Sequence, residues 1–134
     1  MKLESKIGKI ETPDEKIYNF LTNFDNFKQL VPSDKIKDWQ SAEDTCTFTV
    51  DPIGKTGIKI VEKDPFKLIK LSGIDNKPFD FKLWLQLKKL DENSTAIKIT
   101  IDVDLNPMLQ TMAKKPLQNF IDTLVDQLAK VNYT

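Results

Sequence analysis

The sequence predicts an α+β fold: a curved antiparallel sheet of about six or seven strands wrapped around a long C-terminal helix, with two short helices after strand 1. Three observations carry this. Residues 79–87 and 96–105 alternate apolar with polar side chains, the period of strands with one buried and one solvated face. From Pro107 onward the period becomes helical, with Leu109, Met112, Ala113, Leu117, Phe120, Ile121, Leu124 and Leu128 on one stripe. Between the first strand and the sheet, two helix-start signals follow in close succession.

Taken in order, residues 2–10 alternate with Leu3, Ser5 and Ile7 on one face, giving a first strand. Thr12-Pro13-Asp14-Glu15 then reads as a helix start, with Thr12 as cap, Pro13 in the first helical position and Glu15 completing a capping box. Ile17, Phe20, Leu21 and Phe24 supply its apolar face, and Asp25 caps a second short helix that ends before Pro32. Residues 36–40 form a weak strand. Residues 45–50 place Cys46, Phe48 and Val50 on one face, and Asp51-Pro52-Ile53-Gly54 turns the chain. Residues 56–63 follow with Ile58 and Ile60 on one face, then residues 66–72 after an Asp64-Pro65 turn and a loop at 73–78. The two clearest strands come next, joined by a turn at 90–94, and their odd-numbered apolar residues are expected to face the final helix. Asn106 caps that helix, Pro107 opens it, and it is expected to run to Lys130. Pro116 lies inside it and is expected to bend the helix without ending it, because the apolar stripe stays in phase on both sides.

The 134 residues suit one domain spanning 1–134, large enough to need no disulfide or metal staple. Twenty basic residues balance twenty acidic ones, so no global field draws in nucleic acid or an anionic membrane. Every basic residue is lysine; the guanidinium fork that reads guanine or clamps phosphate is missing. The chain has no histidine, the commonest general base and metal ligand, and its one cysteine, Cys46, forms neither an internal disulfide nor a Cys-based zinc site. No metal, cofactor or nucleic-acid partner is therefore expected. The opening Met1-Lys2-Leu3-Glu4 lacks an apolar leader core and no apolar run reaches membrane-spanning length, so a cytoplasmic location without integral membrane association is expected.

The order strand, two helices, about six strands, long helix resembles the START-like, helix-grip superfamily, also called SRPBCC. The resemblance covers essentially the full chain. Its carriers are Glu4-Ser5-Lys6-Ile7-Gly8-Lys9-Ile10, the Thr12-Pro13 helix with Ile17, Tyr18, Phe20 and Leu21, the segment Phe24-Asp25-Asn26-Phe27 with Leu30 and Pro32, and Asn106-Pro107-Met108-Leu109. Small bacterial proteins of the polyketide cyclase/dehydrase-like group are similar in this arrangement. The resemblance implies an apolar cavity between sheet and long helix. It does not select among lipid carriers, hormone receptors, cyclases and chaperone activators, because fold does not dictate function.

The candidate site follows from that cavity. Met108, Leu109 and Met112, on the first half of the long helix, form a pliable wall, and Phe48, Phe81 and Leu83 form the wall opposite; the competing reading of all six is ordinary core. They point to a small apolar or amphipathic ligand, lipid-like or polyketide-like. A cofactor-independent cyclase or dehydratase is the alternative, with Glu62 as the carboxylate whose strand parity matches Ile58 and Ile60. Asp80, Asp102 and Asp104 fall at outward positions, and Cys46 reads as a small buried filler. A third reading is an interaction domain with a closed cavity. Trp84 is out of phase with Phe81, Leu83 and Leu85, so it points outward, covering the sheet or offering a surface for self-association.

Overall fold

The computed structural model describes residues 1–30, 36–42, 45–50, 54–74 and 80–133, with residues 36, 50 and 54 described by backbone alone. The strands are β1 (Lys2–Glu4), β2 (Gly8–Ile10), β3 (Ile36–Ser41), β4 (Thr45–Val50), β5 (Gly54–Asp64), β6 (Leu68–Gly73), β7 (Asp80–Asp91) and β8 (Ser94–Asp104). The α-helices are α1 (Asp14–Leu21) and α2 (Pro107–Lys130), and a 3₁₀ helix spans Phe24–Gln29. The expected turn at Asp51-Pro52-Ile53, the loop at 75–78, Phe79 and the stop at Pro32 lie outside the described residues.

The sheet is an antiparallel meander in the order β1-β8-β7-β6-β5-β4-β3, with β2 also on β8. β7 and β8 pair as the alternation demands: Phe81 opposite Val103, Leu83 opposite Ile101, Leu85 opposite Ile99, Leu87 opposite Ile97. All eight are buried. The connection is tighter than expected, because the strands run on to Asp91 and Ser94 and only Glu92 and Asn93 form the loop. The Asp91 carboxylate accepts the Asn93 N–H at 2.8 Å and closes it.

The first strand departs from a simple alternation. It breaks between Glu4 and Gly8, and its two pieces pair in series along β8. At the break Ser5 Oγ accepts the Ile99 N–H at 2.8 Å while the Ser5 N–H donates to the Ile99 carbonyl. The interruption reverses the side-chain parity: Ile7, expected on the face of Leu3, is 71% exposed, and Ile10 is buried in its place.

A second irregularity corrects Glu62. The register shifts between Ile60 and Glu62, so Ile60 pairs with Leu71 on the inner face but Glu62 pairs with Lys70 on the outer one. Glu62 is exposed. Sequence parity fails here because one extra residue, Val61, turns the rest of the strand over. At the tip of the β5–β6 hairpin Phe66 adopts φ 66°, an uncommon conformation for a bulky side chain, and its ring meets Tyr18 of α1 edge-on at 5.5 Å.

α1 begins later than expected. Pro13, not Thr12, is the N-cap, and no side chain caps the helix. The Thr12 carbonyl instead accepts from Thr95 Oγ1 at 2.8 Å, tying the turn to β8. Likewise Asn23, not Asp25, caps the 3₁₀ helix, its Oδ1 accepting the Asp25 N–H. Ile17, Leu21, Phe24, Phe27 and Leu30 are buried from these two segments.

α2 matches its expectation at both ends. Asn106 Oδ1 accepts the Leu109 N–H at 2.9 Å, Pro107 is the first residue, and the helix runs unbroken through Pro116 for 24 residues, about 36 Å at ~1.5 Å per residue. It packs on β8, β2 and β1 through Leu117, Ile121, Leu124, Val125 and Leu128.

Candidate ligand site

Three of the candidate residues lie on the inner face of the sheet. Phe48, Phe81 and Leu83 are 6%, 7% and 4% exposed, all on that face as their strand parity requires. Phe81 and Leu83 are neighbours on β7, whereas Phe48 lies on β4 beyond β6 and β5. The Trp39 indole stacks on the Phe48 ring, with centroids 5.4 Å apart and planes at 16°. The weak strand at 36–40 has no clear alternation that would assign Trp39 to a face. The structure sets one through a bulge in β3: Asp38 takes φ 57° and the register shifts between Lys37 and Gln40, which turns Trp39 inward.

The other three lie on the first half of α2. Met108, Leu109 and Met112 are 74%, 40% and 56% exposed, the largest apolar side chains that α2 leaves uncovered. At about 100° per residue, Leu109, Met112, Pro116 and Phe120 continue one line down the helix beside the arc that packs on the sheet. Phe120 is half-buried against the core, so the line grades from open at the N-terminus to closed at the C-terminus.

Proton chemistry finds little support in the described residues. The buried polar side chains are Ser5, Thr56, Ser94, Thr95 and Thr100; no carboxylate or lysine is among them. Burial pushes the Cys46 thiol up to about 12 and raises the Tyr133 phenol. Burial, then the nearby Asp64 carboxylate, raises Tyr18. None of these groups is tuned toward neutrality, where a general base works best. No cluster of three or more metal-ligating side chains occurs among the described residues. A shallow cleft of about 110 Å³ lined by Asp80, Phe81, Lys82, Asp102 and Asp104 sits at the ends of β7 and β8, small beside the ~300 Å³ of ordinary ligand pockets.

On the outer face Trp84 stands as its parity requires, half-buried between Lys70 and Thr100, with the Lys70 ammonium 5.5 Å from its ring centre. Thr100 beneath it is buried. The indole therefore shields part of the outer face. No described helix is long and apolar enough to cross a membrane.

A sheet gripping a long C-terminal helix, with two short helices inserted after the first strand, is the helix-grip arrangement, and the chain has the START-like, SRPBCC fold. A START superfamily protein from Mycobacterium smegmatis superposes with a TM-score of 0.71 at 15% identity, covering 98% of this chain and 99% of that one. Norcoclaurine synthase from Thalictrum flavum, solved in complex with dopamine and hydroxybenzaldehyde, superposes at 0.68 with 12% identity, covering 98% and 88%. The Aha1 dimer from Colwellia psychrerythraea gives 0.67 at 20% identity, covering 96% of each chain. No protein-family model and no curated protein sequence matches the chain.

Proposed function

We propose that the protein binds a small apolar or amphipathic molecule, lipid-like or polyketide-like, between the first half of α2 and the inner face of the sheet. The observation that carries this reading is the exposure of Met108, Leu109 and Met112 together on a helix whose second half is buried. Three large apolar side chains grouped in water mark a surface that something covers. Burying them returns ~25 cal/mol per Å² of apolar area, and two thioethers adapt that wall to more than one ligand shape. In this reading Phe48, Phe81 and Leu83 form the opposite wall; all three are buried on the inner face. Norcoclaurine synthase, of the same fold, holds small aromatic molecules, which supports a ligand of that size. It equally suits an enzyme, but the outward turn of Glu62 and the lack of a buried carboxylate among the described residues favour binding.

The test is a thermal-shift and NMR titration with fatty acids, sterols, isoprenoids and flat aromatics. A ligand at 100 times its Kd stabilises the fold by about 2.7 kcal/mol. Amide signals of Met108, Leu109 and Met112 shift with it, and Met112→Lys abolishes the effect while the domain still folds. If no compound in any class moves these signals, the reading is wrong.

A further inference from the structure

Among the described residues, two polar atoms on the inner face are buried without a hydrogen-bond partner: Trp39 Nε1 and Thr56 Oγ1. Both adjoin Phe48. Thr56 is its cross-strand partner on β5, and Trp39 stacks on its ring from β3. Thr56 is only 6% exposed, and its hydroxyl meets no hydrogen-bonding group among the described residues. A buried polar group left unpaired is costly, and native proteins keep few of them without a reason.

From this arrangement we infer that the Phe48 end of the site receives the polar end of the ligand, and that this end is a neutral, oxygen-bearing group such as a ketone or ester. The inference rests on the binding reading above and adds the ligand's chemistry and orientation. The indole N–H only donates, so the ligand must present an acceptor there; the threonine hydroxyl serves as a second donor. Charge is ruled out by solvation. A carboxylate or phosphate buried at this spot would need a cation, and among the described residues no lysine is buried, while the chain has neither arginine nor histidine. An ammonium would meet two donors and, among the described residues, no buried carboxylate. The apolar body of the ligand then extends from Phe48 toward Met108, Leu109 and Met112.

The experiment uses three probes of one shape: 2-acetylnaphthalene, 2-ethylnaphthalene and 2-naphthoate. The ketone is expected to bind about five- to tenfold more tightly than the hydrocarbon, the worth of one net hydrogen bond. It moves the Trp39 indole N–H signal, which is identified by its loss in Trp39→Phe. The carboxylate binds no better than the hydrocarbon. Thr56→Val, nearly isosteric, narrows the preference for the ketone, yet without ligand its urea midpoint rises, because it removes an unpaired hydroxyl. A threonine bonded within the protein would give the opposite change in midpoint. Equal binding of ketone and hydrocarbon with an unmoved indole signal overturns this inference and leaves the binding reading standing. Tightest binding of the carboxylate overturns the neutral class. Failure of every probe here, and of every class in the wider titration, removes both.

Discussion

The two halves of α2 share one apolar periodicity and differ in what they touch. Downstream of Pro116, Leu117, Ile121, Leu124, Val125 and Leu128 are buried, and a polar row beside them is bonded to the broken first strand. Gln118 Nε2 donates to the Glu4 carbonyl at 2.8 Å, the Asp122 carboxylate accepts the Lys6 N–H at 2.8 Å, and the Lys6 ammonium pairs with Asp126. The first two of these satisfy backbone groups that an open sheet edge would otherwise expose. Upstream of Pro116 only Ala113 is buried, and Met108, Leu109 and Met112 stand in solvent. Pro116 withholds the N–H that the Met112 carbonyl would accept, and it does so at the junction. The contrast teaches that one helix has two environments: its second half is part of the fold's core, and its first half, Ala113 apart, leaves its large apolar side chains in solvent.

The sharpest way to break this comparison is to cut each half equally. Ile121→Ala, at a fully buried site, is expected to cost about 3–4 kcal/mol in urea unfolding, whereas Met112→Ala stays within about 0.5 kcal/mol. Equal losses would mean that both halves are core.

Gly8 tests how closely the second half is seated. A Cβ built there would lie 2.4 Å from Val125 Cγ1. Gly8→Ala should therefore destabilise by roughly 2 kcal/mol, and Val125→Ala in the same chain should recover part of that loss, a coupling measurable by a double-mutant cycle.

Cys46 lies on β4, outside the contact with α2, and gives a pH-dependent control. Its folded pKa of about 12 exceeds the ordinary thiol value of 9.0, so its stabilising contribution is complete below pH 9 and is lost as pH rises from 9 toward 12. Between pH 8.5 and 10.5 the wild type should lose about 2 kcal/mol more stability than Cys46→Ala. Parallel curves would show that the thiol is open to water.

The smallest effect concerns the strand break. Asp122→Ala removes the acceptor of the Lys6 N–H and should cost about 1 kcal/mol, with faster amide exchange at Lys6 and little change at Met112.

Much of this architecture was legible in the sequence because it depends on local rules. The alternation at β7 and β8 sets which residues are buried, and Asn106 with Pro107 sets the start of α2; neither needs knowledge of the rest of the chain. The burial of Phe48, Phe81 and Leu83 on the inner face followed from the same parity, whereas their part in a cavity wall came from the resemblance alone. What failed were extrapolations of parity past an irregularity. Ile7 and Glu62 each lie beyond a break in register, and nothing in the alternation marks where a residue will be left unpaired. Thr56 was in phase with Ile58 and so carried a signal, but its lack of a partner is a property of its surroundings.

The sequence by itself determined the sheet's buried face, the length and cap of α2, and a chemistry without arginine, histidine or paired cysteines, because composition and periodicity are properties of a chain before it folds. Only the tertiary structure decided that the apolar stripe of α2 is covered in one half and open in the other, that the bulge at Asp38 brings Trp39 onto Phe48, and that Glu62 leaves the inner face. Burial and hydrogen-bond satisfaction depend on which distant segments meet, and a single bulge shifts every side chain beyond it to the other side of the sheet.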